Sequence, residues 1–183
     1  MDNTEIVVWI PCDPAGRPRV DHRPVKTKTG RVMAIAYVPD NPQRAAPGKR
    51  GTKNAVGWIK AHAFRRAVRE AVRSSLPETP WDGPVMVDLD FYFPRPERLL
   101  KRSSPTSRVP YAAKPDRDNL DKALLDALTA RAPNPRTRGP DADGYPGLWV
   151  DDAQVCDGRI GKWYVPLGGE PGVLMTARRL PVC

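Results

Sequence analysis

Residues 114–130, KPDRDNLDKALLDALTA, and residues 149–155, WVDDAQV, decide how this chain is organised. The first stretch is a loop that runs into a helix. Pro115 disfavours helical geometry at Lys114, so the approach is irregular. Asp118 or Asn119 is expected to cap the helix, because a short side-chain oxygen accepts a hydrogen bond from a first-turn amide. Leu120, Ala123, Leu124, Ala127 and Leu128 recur at helical spacing and form one apolar stripe. Asp118, Lys122 and Asp126 each follow the last by four residues, on a different face. Asp116 and Asp118 stand two apart in an extended approach, so both carboxylates can point the same way. A face that needed only solubility would not require two carboxylates bunched at its mouth. Asp151 and Asp152 form a second acidic pair, between Leu148-Trp149-Val150 and Ala153-Gln154-Val155.

Outward from these stretches, period-two alternation marks the strands. Val85, Val87, Leu89, Phe91 and Phe93 alternate with Met86, Asp88, Asp90 and Tyr92, which predicts a strand with one buried face. Asp88 and Asp90 lie on the other face; they are candidate extra acids, though solvent-facing strand charges are the expected reading. Ile6–Ile10 is a short β-rich run. Val155–Val165 and Val173–Arg179 read as two closing strands, joined by a hairpin turn at Leu167-Gly168-Gly169. Asn54–Ser75 is expected to be a helix capped by Asn54. Ile59, Ala63, Ala67 and Ala71 would line one face, with Val56, Phe64, Val68 and Val72 nearby and Lys60, Arg65, Arg66, Arg69 and Arg73 over the remaining surface. The order strand, helix, strand, helix, strand, strand predicts a small α/β single-domain sandwich. It has a mixed β-sheet of about four strands with packed helices.

Three segments punctuate this order. Residues 21–53 are rich in Pro, Gly, Lys and Arg and are expected to be a basic loop, with a short strand at Val32–Val38. Residues 94–113 form a second basic, Pro-rich loop whose Arg95, Arg98, Lys101, Arg102 and Arg108 would fold back toward the acidic stretch. Residues 131–147 are a Pro/Gly insertion expected on the surface, with Asp141 and Asp143 as turn residues.

The chain has 183 residues, the length of one domain. It carries a formal net charge of +9, which favours polyanionic partners. Its three cysteines, Cys12, Cys156 and Cys183, are scattered and form no C-x-x-C pair. Neither a zinc site nor a disulfide framework is indicated, and a reducing cytoplasm fits. No apolar run reaches the roughly 18 residues of a membrane span. Asp2 and Glu5 stand where a basic leader segment would begin, so no secretory signal is expected. No G-x-x-x-x-G-K-[ST] or G-x-G-x-x-G loop occurs, so no nucleotide cofactor is expected.

Oxygen donors in this pattern suit magnesium, a hard cation that takes one or two carboxylates and keeps several waters. The same residues also read as a capping cluster with its ion-pair partner and a polar turn. On residue chemistry alone the two readings stand about level.

The joint pattern Asp-x-Asp-Asn-Leu-x-Lys, Leu-Asp-Ala-Leu and Asp-Asp-Ala-Gln-Val resembles the RusA-type Holliday junction resolvases, common in phages and prophages. It is specific over Lys114–Leu128 and Leu148–Asp157, and looser over Ile6–Val20, IVVWIPCDPAGRPRV. The resemblance implies a single RusA-like endonuclease domain over residues 1–183. It implies a magnesium-dependent endodeoxyribonuclease that resolves four-way DNA junctions by paired symmetric nicks, in recombination and repair, as a homodimer in the cytoplasm (the host's, if phage-encoded). By the same resemblance Asp116, Asp118 and Asp152 are the metal-binding catalytic acids and Lys122 the essential lysine. Arg17, Arg19, Lys114 and Arg117 are the expected nucleic-acid contacts. Some family members carry several arginines directly before the first aspartate. Only Lys114 stands near that point here, so DNA contacts are expected from Arg117 or from the Pro94–Pro110 loop. The alternatives are a non-catalytic basic DNA-binding protein of the same fold and a nuclease for other branched DNA.

Overall fold

The alternating residues 85–93 form the centre of the fold. The computed structural model describes residues 4–16, 21–26, 32–37, 49–100, 108–134 and 143–181. Strand β4 (Val85–Phe93) buries Val85, Val87, Leu89, Phe91 and Phe93 on one face. Before it come β1 (Glu5–Pro11), β2 (Asp21–Lys26), β3 (Val32–Tyr37) and helix α1 (Lys49–Val72). After it come a short α2 (Glu97–Leu100), β5 (Val109–Pro110), α3 (Arg117–Leu128), β6 (Val155–Asp157), β7 (Ile160–Tyr164) and β8 (Gly172–Arg179). Two 3-10 turns, Arg73–Ser75 and Asp152–Gln154, follow α1 and precede β6.

The fold is mixed α/β, as expected, but the main sheet has six strands rather than about four. Its order is β1-β8-β4-β7-β5, with β6 also on β4. The single strand expected over Val155–Val165 is broken at Gly158-Arg159. β6 and β7 then pair in parallel with successive parts of β4, at Val85–Met86 and at Leu89–Phe93. β7 and β8 do not form a hairpin across Leu167-Gly168-Gly169, because β4 lies between them, parallel to β7 and antiparallel to β8. Local turn chemistry is silent on which strand is inserted between two neighbours.

Helix α1 starts at Lys49 rather than at Asn54 and gives way to the 3-10 turn after Val72. No proline stands between Pro47 and Pro77 to stop it earlier. Its buried line is Phe64, Val68 and Val72, while Ile59 and Ala63 are exposed. Burying phenylalanine and valine removes more apolar area from water than burying alanine, and that sets the helix rotation. The stripe expected on α3 holds: Leu120, Leu124, Ala127 and Leu128 are fully buried. Helix α1 packs on α3 and β1, and α3 on β7, so both helices share one cluster with the inner face of β4 and β8.

The opposite face of the sheet keeps Val7 and Trp9 exposed. Asp90 corrects the expectation for that face, since it is buried at 4% exposure among its hydrogen-bond donors. In the segment expected as a basic loop, β2 and β3 pair as a separate antiparallel sheet. Among the described residues no helix is long and apolar enough to cross a membrane.

Candidate active site

Helix α3 begins at Arg117, immediately after Pro115-Asp116. The N-cap position is Asp116, extended at φ −68° and ψ 151°, and its side chain makes no capping hydrogen bond. Neither Asp118 nor Asn119 caps the helix; both lie inside its first turn. The loop is held from outside instead. Lys162 Nζ, reaching across from β7, donates to the carbonyl oxygens of Ala113 at 2.6 Å and Pro115 at 2.7 Å. The Tyr111 hydroxyl donates to the Lys114 carbonyl, and its ring stacks on Phe93 with centroids 3.9 Å apart. Burial lowers the pKa of the Lys162 ammonium, and the nearby Asp116 carboxylate partly opposes that. Lys162 is not among the site residues expected from the sequence. A lone cation between Gly161 and Trp163 in a short strand was the only available signal.

Asp116 and Asp118 are exposed at this mouth, and Asp118 sits in the first turn, where the helix dipole favours negative charge. Asp121, half-buried on the same helix, has its carboxyl pushed up by burial, with Arg117 and Lys122 pulling the other way.

The second acidic pair is placed by Trp149, which is fully buried and donates its indole N–H to Thr129 Oγ1 at 3.1 Å. The chain leaving α3 is bonded to the chain returning from the insertion. Leu148 N donates to Leu128 O at 2.7 Å, and Ala130 N to Trp149 O at 2.9 Å. Gly147 is needed at this crossing. Its φ is +72°, and a Cβ there would stand 2.3 Å from Ala130 N. The next residues divide their tasks. Asp151 Oδ1 accepts from Ala153 N and Gln154 Oε1 from Asp151 N, both at 2.8 Å, a reciprocal capping box on the 3-10 turn. Gln154 Nε2 also donates to the carbonyls of Trp81 and Gly83. Asp151 is therefore the structural member of the pair. The Asp152 carboxylate turns toward α3, where Lys122 Nζ stands 3.5 Å away.

Lys122 thus joins the two acidic stretches. It also lies 3.7 Å from Asp126, one turn further along α3. Asp126 shares the helix face read from the sequence, whereas the contact with Asp152 joins two stretches 30 residues apart. Among the described residues no group of three or more His, Cys, Asp or Glu side chains stands together so as to hold a metal ion. Asp116, Asp118 and Asp152 accordingly do not form such a group in this structure. The donor set still fits a hard dication in kind, with oxygen ligands only, two of the three exposed and Asp152 half-buried.

Lys114 is exposed and helps line an open groove of about 400 Å³ with Asp13, Lys60, Tyr111 and Pro115. Gly16 closes against this loop, since a Cβ there would meet Pro115 at 3.0 Å and Asn119 at 3.2 Å. Arg17 and Arg19 lie outside the described residues, as do Lys101, Arg102 and Asp141. Arg117 is exposed at the helix mouth. Arg95 is half-buried and donates from Nε to Val165 O at 3.0 Å, which makes it a structural contact rather than a loop cation.

Fold and site together define a basic, mixed α/β protein with two exposed carboxylates and flanking cations at one helix mouth and, one turn further in, a lysine that reaches Asp152. A family model described as Endodeoxyribonuclease RusA matches residues 13–134. The chain belongs to the RusA endodeoxyribonuclease family. The matched residues include Asp116, Asp118 and Lys122 and stop short of Asp151-Asp152. No curated protein matches the chain.

Proposed function

We propose that the protein is a magnesium-dependent, structure-selective endodeoxyribonuclease that resolves four-way DNA junctions in recombination and repair. Lys122, on the helix that carries Asp118, reaches Asp152 in the second acidic stretch, and this contact carries the proposal within the family assignment. Asp116, Asp118 and Asp152 would hold the ion, which when bound polarises the phosphodiester and stabilises charge on the leaving oxygen. The chain's own residues do the rest. Lys122 has a 54% exposed side chain, so its ammonium can turn from Asp152 to a phosphate oxygen and meet the charge that develops there. Lys114 and Arg117 flank Pro115-Asp116 and hold neighbouring phosphates. Hydrolysis makes water the attacking group; the Cys12 thiol, pushed up to about 12 by burial and Asp13, stays protonated at neutral pH. Two symmetric nicks need two such sites, so the working unit is a homodimer. Residues 1–183 act as one endonuclease unit, in the cytoplasm where its DNA substrate lies.

The test is incubation of the purified protein with a labelled synthetic four-way junction, with and without magnesium. Paired symmetric nicks should appear only with the ion. Asp118→Asn should abolish them while keeping or tightening junction binding, because a negative charge next to the phosphates is gone. Binding without cleavage, unchanged in Asp118→Asn, would make this a non-catalytic DNA-binding protein of the same fold. Equal cleavage of flaps and forks would make it a nuclease for branched DNA in general.

A further inference from the structure

The outer face of the main sheet carries a second built cluster. Asp90 alternates with the inward-facing Leu89 and Phe91 and therefore points away from the helices. Its Oδ1 accepts the indole N–H of Trp163 at 2.8 Å, and its Oδ2 accepts from both Arg108 and Arg159, each at 3.3 Å. Gly161 opens the path for the indole. A Cβ there would lie 2.3 Å from Asp90 Oδ1 and 2.4 Å from Trp163 Nε1. The Arg108 guanidinium also lies over the Trp163 ring, 5.4 Å from its centroid.

A buried carboxylate needs donors, but one guanidinium and the indole would serve. The second guanidinium brings like charges together, no further apart at their bonded nitrogens than twice 3.3 Å. Each arginine gives one N–H to Asp90 and has five, and their side chains are 52% and 60% exposed. The neighbouring charges have partners of their own. Asp88 Oδ1 accepts the backbone amide of Arg159 at 2.7 Å, and Arg178 pairs with Glu5 at 2.9 Å. The result is two oriented, half-exposed guanidiniums whose remaining donors can bridge the oxygens of one tetrahedral anion.

We propose that Arg108 and Arg159, aligned by Asp90 and Trp163, form a phosphate-binding site for a nucleic-acid backbone on the sheet face turned away from α3. Arg108 directly precedes the edge strand β5, which leads through Tyr111 to the Asp116 loop. A strand held here therefore passes round that edge toward the acidic mouth. The choice of a nucleic-acid phosphate rests on the family reading; the anion site itself does not.

Two measurements test it. Binding to a short duplex in EDTA is followed against salt for the wild type and for Arg108→Gln and Arg159→Gln singly, each of which leaves Asp90 a guanidinium partner. Each variant should lower the log–log salt slope by about 0.9, the effect of one lost phosphate contact. The indole N–H resonance of Trp163 is also followed while inorganic phosphate is titrated into the wild type. It should shift and saturate in the wild type and fail to do so in Arg159→Gln. A shift with no DNA binding by the wild type would keep the anion site and sink the nuclease reading. Unchanged salt slopes in both folded variants, or an indole resonance that phosphate does not move, would reduce the cluster to an internal clamp and overturn the proposal.

Discussion

Lys162→Met isolates what holds the acidic loop in place. The variant keeps an apolar stem of similar length and removes an ammonium that donates to Ala113 O at 2.6 Å and Pro115 O at 2.7 Å. Hydrogen bonds from a charged donor contribute about 1.5–3 kcal/mol each when buried. The Ala113 contact is exposed, and water can replace it, so about 1 kcal/mol per bond, or about 2 kcal/mol for both, is the reasonable loss. It should raise the open population of the 111–116 loop by roughly 30-fold, and because global unfolding breaks the same two bonds it should lower global stability by about the same 2 kcal/mol. Native-state hydrogen exchange should therefore speed up at the amide of Leu120, whose acceptor is Asp116 O. Junction cleavage should fall by at least tenfold as Asp116 and Asp118 lose their fixed placement, and Lys162→Arg should restore much of it. Wild-type exchange at Leu120 together with wild-type cleavage would refute the argument that this lysine positions the loop.

Other expectations follow from particular contacts. Lys122→Ala removes two partly exposed ion pairs and should cost about 0.5 kcal/mol in denaturant titrations, yet single-turnover cleavage should drop by ~100-fold. Wild-type cleavage would leave the lysine only a salt-bridge role. Gly161→Ala places a methyl in the Asp90–Trp163 contact and should destabilise the fold by about 1–3 kcal/mol, with a change in Trp163 fluorescence. Asp121 has its carboxyl pushed above the ordinary 3.8, so the folded chain binds more protons than the unfolded one between 3.8 and that higher value. Its contribution to stability therefore falls as pH rises through this window. Asp121→Asn should match the wild type in thermal unfolding below pH 3.8 and be the more stable of the two at neutral pH. Cys12, pushed up to about 12 and half-buried, should resist iodoacetamide at pH 8 while the exposed Cys156 reacts, as read by peptide mass spectrometry.

The sequence alone determined the parts whose signal is periodic or joint. Alternation over Val85–Phe93 marked the central strand, and the Leu120–Leu128 stripe marked the buried face of α3, because each pattern matches the geometry of its own element. The acidic motif with its lysine led to the family. Only the tertiary structure decided the relations between distant residues. It inserted β4 between β7 and β8, where turn residues had suggested a hairpin. It gave Asp151 to a capping box and Asp152 to Lys122, although the two aspartates are adjacent and identical in type. It buried Asp90, which its strand pattern had marked for solvent, because donors arriving from residues 108, 159 and 163 can compensate a carboxylate that local sequence leaves bare. It also brought Lys162 under the 111–116 loop from a strand nearly 50 residues further along the chain. A hydrogen bond or ion pair acts over a few ångströms of space and is blind to separation along the chain. Periodicity therefore revealed the elements, while packing assigned the roles of individual charged side chains.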